Sequence, residues 1–162
     1  MNPRPVLLFG YGNPGRGDDA LGPLLVEAIE KKGYTQVECL SDMQLQIEHV
    51  TDLAQRTQIV FVDADTSCDD SYEYSSINAE KDESYSSHSM TPSALLYAYR
   101  TVYGEEASAT FLLRIRGYNF ALGSPLSKQA ETNLDSAQGF ISRLLEPFER
   151  IDDPSLPKLG EP

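Results

Sequence analysis

Asp19, Asp63 and His88 are the side chains of this 162-residue chain best suited to act together. Asp19 falls in a glycine-rich loop after the first expected strand, and Asp63 ends the third. His88 sits in a long polar loop just ahead of a helix start. Carboxylates with an imidazole suit nickel, zinc or iron. Two acids and one histidine leave coordination positions open, which suits transient contact with a metal held mainly by something else. A plainer reading stays open beside it. Asp18 and Asp19 are also suited to cap a helix and meet its dipole, Asp63 to end a strand in a turn, and His88 to stand idle in its loop. The other histidine, His49, lies beside Glu48 on an expected helix and reads as a surface or packing residue.

The loop carrying Asp19 reads Gly10-Tyr-Gly12-Asn-Pro-Gly15, which matches G-x-G-x-x-G after a strand and before a helix, with Glu38 near the end of the second strand. That is the form of a dinucleotide fingerprint. Its chemistry points elsewhere. A pyrophosphate must meet free N–H groups at a helix N-terminus, yet Pro14 removes one donor. Asp18 and Asp19 stand where the anion would bind, and the helix starts only after Gly17. Two carboxylates there repel phosphate and attract cations. The chain also lacks HExxH and a convincing Ser–His–Asp or Cys–His arrangement.

These residues need a scaffold that brings them together. Apolar runs at 5–10, 36–40 and 58–63 read as buried strands of a parallel sheet, 109–116 as another strand, and 72–77 as a short edge strand. Leu21, Leu24, Leu25, Ala28 and Ile29 make a helical stripe with Pro23 in its first turn. Met43, Ile47, Val50, Leu53 and Ala54 repeat at helical spacing as well. Thr91-Pro92 reads as a helix start and Gly104 as its stop. A last helix is expected over 126–145. The expected fold is α/β: a single doubly wound, mostly parallel sheet flanked by helices on both faces. One domain spans 1–150, and a flexible tail covers 151–162. In the flavodoxin-like strand order, strands one and three flank one crevice, where Asp19 and Asp63 converge.

Net charge narrows the partners. With 13 basic and 25 acidic residues the formal charge is −12, which disfavours nucleic acid and anionic membrane and favours a basic peptide or a cation. Cys39 and Cys68 form no CxxC and fit a reducing cytosol; Cys39 reads as a small buried hydrophobe in the second strand. No signal peptide is visible and no stretch approaches the roughly 20 apolar residues of a membrane span, so a cytoplasmic location is expected. A monomer is expected.

GYGNPGRGDDALGP at 10–23 resembles the opening signature of the nickel–iron hydrogenase maturation endopeptidases: G-x-G-N, a short gap, then D-(D/E)-x-x-G. Val62-Asp63-Ala64 resembles their second signature and Ser87-His88-Ser89 their third, in the same order and spacing, over about residues 6–148. The resemblance implies that Asp19, Asp63 and His88 are the metal-contacting and working residues. It also implies an endopeptidase that removes a C-terminal extension from a hydrogenase large-subunit precursor once nickel has been inserted. Nickel would then arrive with the substrate and not be held permanently. Asp19 departs from a family position that is often Glu. Ser41-Asp-Met-Gln-Leu-Gln-Ile-Glu48 replaces a glycine-rich turn and, with Ile115-Arg-Gly-Tyr-Asn-Phe120, is similar to the subgroup serving NAD(P)-coupled bidirectional hydrogenases. The alternatives are a non-proteolytic nickel-site chaperone and a nucleotide-binding Rossmann-like protein.

Overall fold

The computed structural model describes residues 3–82 and 90–148. Its five strands are β1 (Val6–Tyr11), β2 (Val37–Asp42), β3 (Gln58–Asp65), β4 (Tyr72–Ile77) and β5 (Ala109–Arg116). They form one sheet in the order β2-β1-β3-β5-β4. All pairs are parallel except β4 with β5, which is antiparallel at the edge.

The apolar runs at 5–10 and 58–63 form central strands because both of their faces are covered, whereas the run at 36–40, expected to be buried, lies at the sheet edge as β2 with only Val37 fully buried. Val6 and Leu8 of β1 and Val60 and Val62 of β3 face one side. There they meet Leu21, Leu25, Val26 and Ile29 of helix α1 (Leu21–Glu30), and Ala130, Ala137 and Ile141 of α3 (Lys128–Leu144). Leu7, Phe9, Ile59 and Phe61 face the other side, against Leu95, Leu96 and Tyr99 of α2 (Pro92–Tyr103). Successive strand residues point to opposite faces, so an unbroken apolar run feeds two cores at once. The expected doubly wound sheet with helices on both faces is the architecture observed. The ends of α2 also fall where expected: the Thr91 hydroxyl accepts from the Ala94 N–H at 3.1 Å, and Gly104 closes the helix in the left-handed region at φ 74°.

The helix expected over 43–54 does not form. The segment is a 3-10 turn over Ile47–Leu53, with Met43 57% and Ile47 51% exposed. Leu45, off the expected stripe, is only 1% exposed and takes the core position that the stripe assigned to its neighbours. Val50 and Leu53 alone keep their inward places among the buried core residues of that stripe. A short 3-10 turn places side chains three apart on one line, and that is enough to bury this pair. The tail at 151–162 lies outside the described residues.

Helix α1 lies unusually close to the sheet. A Cβ on Gly22 would stand 2.6 Å from the Val62 carbonyl oxygen and 2.8 Å from that of Tyr11. Both obstacles are backbone and cannot swing aside. Gly22→Ala should therefore cost about 1–3 kcal/mol of unfolding free energy through overpacking. Gly139→Ala, whose added carbon would meet nothing nearer than the Arg143 guanidinium at 3.5 Å, should be neutral or stabilising. Urea unfolding of the two variants checks the contrast.

Candidate functional site

Chain direction across the sheet reverses between β1 and β3: β2 lies to one side of β1, and β3 to the other. Ligands of open α/β sheets bind at the carboxyl ends of strands at such a point. Here β1 ends in Tyr11, and Gly10 pairs with Val62 in β3, which brings Tyr11 beside Asp63. The Tyr11 hydroxyl faces the Asp63 carboxylate closely enough to favour its ionised form.

Burial is the main force pushing the Asp63 carboxyl up to about 7; the charges of Asp19 and Asp65 push the same way, while bonds from Tyr11 and the Ala64 backbone oppose it. Asp63 is thus a carboxyl poised between its two forms near neutrality, as a general base requires. Burial, followed by the neighbouring Asp63, Asp65 and Asp19 charges, raises the Tyr11 hydroxyl well above its ordinary range, so it stays a donor.

Asp19 reaches the site from the 3-10 turn Gly17–Ala20 that precedes α1. Its Oδ2 accepts from the Asn13 N–H at 2.7 Å, which fixes the carboxylate against the glycine loop. Gly12 makes this approach feasible: its φ is 149°, and a Cβ there would stand 2.0 Å from the Asp19 carbonyl oxygen. Asp19 and Asp63 therefore converge closely enough for the charge of one to act on the other. His88 lies outside the described residues. Among the described residues, no group of three or more His, Cys, Asp or Glu is placed to hold a metal ion. The described part of the set is a carboxylate pair whose negative potential has no cationic partner strong enough to keep Asp63 acidic, a donor set that fits a divalent cation brought from outside.

The adjacent acid has a different role. Asp18 is fully buried and accepts four hydrogen bonds: from the N–H groups of Tyr118 (2.7 Å), Asn119 (3.0 Å) and Ser127 (2.7 Å), and from the Ser127 hydroxyl (2.8 Å). Ser127 is itself the N-cap of α3. Asp18 thus ties the glycine loop to the segment after β5 and to the start of the last helix.

The glycine loop has no backbone N–H left for a pyrophosphate. The N–H of Gly12 goes to the Asp42 carbonyl at 3.1 Å, and that of Gly15 to the Asn13 side chain at 2.8 Å. Those of Arg16 and Asp19 bond within the turn; those of Gly17 and Asp18 go to the carbonyls of Ser124 and Asn119. Pro14 has none, and Asn13 serves Asp19. Glu38, the acid of the fingerprint pattern, is taken by Arg56. A dinucleotide would have to break these bonds before making its own.

A cleft of about 640 Å³ opens from Asp63 toward β4 and the start of α2. Tyr11, Asp65, Met90, Thr91 and Arg114 are among the residues that line it. Arg114 bridges Asp65 at 3.1 Å and Glu73 at 2.6 Å, which braces the edge strand against the centre of the sheet. The sequence reading does not single out Tyr11, Asp65 or Arg114. For Tyr11 a signal exists: it directly follows the first apolar run as Asp63 ends the third, and those two strands are neighbours.

No protein-family model matches the chain, and no curated protein matches it in sequence. Solved structures do match. The hydrogenase maturating endopeptidase HybD from E. coli superposes with a TM-score of 0.69 at 22% identity, over 91% of this chain and 93% of its own. The NiFe hydrogenase maturation protease HycI from Thermococcus kodakarensis gives 0.68 at 21%, over 88% and 92%. HybD from Thermococcus kodakarensis gives 0.64 at 20%, over 89% and 99%. The structural neighbours of this chain thus include several hydrogenase maturation proteases, and the likeness at these identities is one of fold. No helix among the described residues is long and apolar enough to cross a membrane.

Proposed function

We propose that this chain is a cytoplasmic endopeptidase of the nickel–iron hydrogenase maturation family, which removes the C-terminal extension of a nickel-loaded large-subunit precursor. The observation that carries this reading is the convergence of Asp19 with Asp63, whose carboxyl titrates near 7, at the switch point of a sheet shaped like those of the hydrogenase maturation proteases. The three signatures along the chain point the same way. The segments 41–48 and 115–120 favour the precursor of an NAD(P)-coupled bidirectional hydrogenase as its substrate.

Asp19, Asp63 and His88 would hold the nickel that the precursor carries, and the ion would polarise the scissile carbonyl. Asp63 in its ionised form takes a proton from a water molecule in the cleft. The water oxygen adds to the carbonyl carbon, the C–N bond breaks, and Asp63 returns the proton to the departing amine. Tyr11 holds the Asp63 carboxylate in place through its hydroxyl. Asp19 is held in place by its bond from the Asn13 N–H.

Intact mass spectrometry of a hydrogenase large-subunit precursor, prepared with and without nickel and mixed with the purified chain, tests the proposal. The expected result is loss of the C-terminal extension in the nickel-loaded sample alone. Loss in both samples would leave a peptidase without nickel recognition. Tight binding with no loss in either would replace the peptidase with a nickel-site chaperone.

A further inference from the structure

We infer that His49 is a positioning residue for this cleft: it pins the loop after β2, and through that loop both the cleft wall and the backbone that aims Asp19. The inference rests on the peptidase reading above. Asp42 ends β2 level with Tyr11. Its Oδ1 accepts from the Met43 N–H at 2.7 Å, and its Oδ2 meets His49 Nε2 at 3.1 Å. His49 Nδ1 accepts from the Gln46 N–H at 2.9 Å. A ring nitrogen that accepts carries no proton, so in the neutral ring the proton is on Nε2 and is donated to Asp42. The imidazole is 13% exposed and sits edge-on to Phe9, with ring centres 4.8 Å apart. One ring thus closes both ends of the loop 43–46.

That loop is connected on two sides. Leu45 is buried with Phe9 and Phe61, and its carbonyl accepts from the Met90 N–H at 3.2 Å. Met90 lines the cleft with Tyr11 and Asp63. On the other side the Asp42 carbonyl accepts from Gly12 at 3.1 Å, and the next amide, Asn13, holds the Asp19 carboxylate at 2.7 Å. The links from the loop to Met90 and to Gly12 are backbone hydrogen bonds, so release of the ring loosens both walls without touching Asp63. Small misplacements of this kind are costly in sites that work by orientation.

His49→Leu keeps much of the ring's packing against Phe9 and removes both of its hydrogen bonds. The expected result is exchange of the Met90 and Gly12 amide protons about tenfold faster or more, with the amides of β3 unchanged. KM for the precursor should rise about tenfold, with a smaller change in kcat. His49→Gln carries an amide nitrogen toward the Nε2 position and His49→Asn an oxygen to the Nδ1 position, so each should recover part of the loss. Wild-type exchange at Met90 and Gly12 in His49→Leu would overturn the inference, as would wild-type KM with Leu. Because exchange is read without substrate, failure of the wild-type chain to cleave a precursor would count separately, against the peptidase reading.

Discussion

Asp63→Asn is expected to lower single-turnover cleavage of the nickel-loaded precursor by about 10²–10⁴-fold, the usual contribution of a positioned general base. Asn keeps the size of Asp63 and an oxygen facing the Tyr11 hydroxyl, so the loss would be one of proton transfer and nickel contact and not of folding. The free-enzyme profile, kcat/KM against pH, should rise through about 7 in the wild-type chain, where burial has pushed the Asp63 carboxyl. The kcat profile should rise at lower pH, because a cation brought beside the carboxyl favours its ionised form. Cleavage by the variant within a factor of about 3 of wild type would remove Asp63 from the base role.

The same substitution has an opposite effect on stability. The carboxyl titrates at 3.8 in an ordinary setting and at about 7 in the folded chain. A raised folded value means that the folded state binds the proton more tightly. Its contribution is fully present below the unfolded value and is lost as pH rises through the folded one. Asp63→Asn has no such loss. Its urea midpoint relative to wild type should therefore climb between about pH 4 and pH 7 and then level off. A variant that is inactive yet more stable at pH 8 is the signature of a residue kept for chemistry.

Asp18→Ala should be the most destabilising single change at the site, by about 3–5 kcal/mol, because several buried donors lose one charged acceptor together. Alanine would leave three backbone N–H groups and the Ser127 hydroxyl without their buried acceptor. Burial by itself would raise the Asp18 carboxyl, but the bonds from Ser127, Asn119 and Tyr118 outweigh it and hold it below its ordinary value. A depressed folded value places the stabilisation above the unfolded value of 3.8, with loss as pH falls through the folded one. Thermal unfolding across acid pH should show wild type losing stability below about pH 4 and Asp18→Ala missing that share of the loss. A shift under about 0.5 kcal/mol at neutral pH would mean that the segment after β5 is held by something else.

Local chemistry made much of this fold legible from the residues alone. The apolar run at 58–63 could be little else than a strand buried on both faces, and Thr91-Pro92 with Gly104 marked both ends of α2 because caps are set by adjacent backbone. Asp19 and Asp63 could be placed at strand ends, since a glycine loop and a run's last residue mark those ends directly. The expected helix over 43–54 failed for a long-range reason. Helical spacing describes which residues would align if the segment were free, whereas Asp42 and His49 close its start and Leu45 fills a gap beneath β1 that no local pattern reveals.

Two neighbouring residues of one type mark the boundary most clearly. In sequence, Asp18 and Asp19 are interchangeable acids at a helix entrance. In the folded chain Asp18 is sealed beneath a segment 100 or more positions away, while Asp19 turns to the crevice beside Asp63. Consecutive residues of a turn point in different directions, and which direction is inward depends on what arrives later to cover it. The residue types decided that this site would be acidic and at the carboxyl ends of the strands. Strand register and the return of the chain after β5 decided which acid became structure, which stayed near Asp63, and that Tyr11 would stand beside Asp63. Those are contacts between distant parts of the chain, settled only when the sheet closes against its helices.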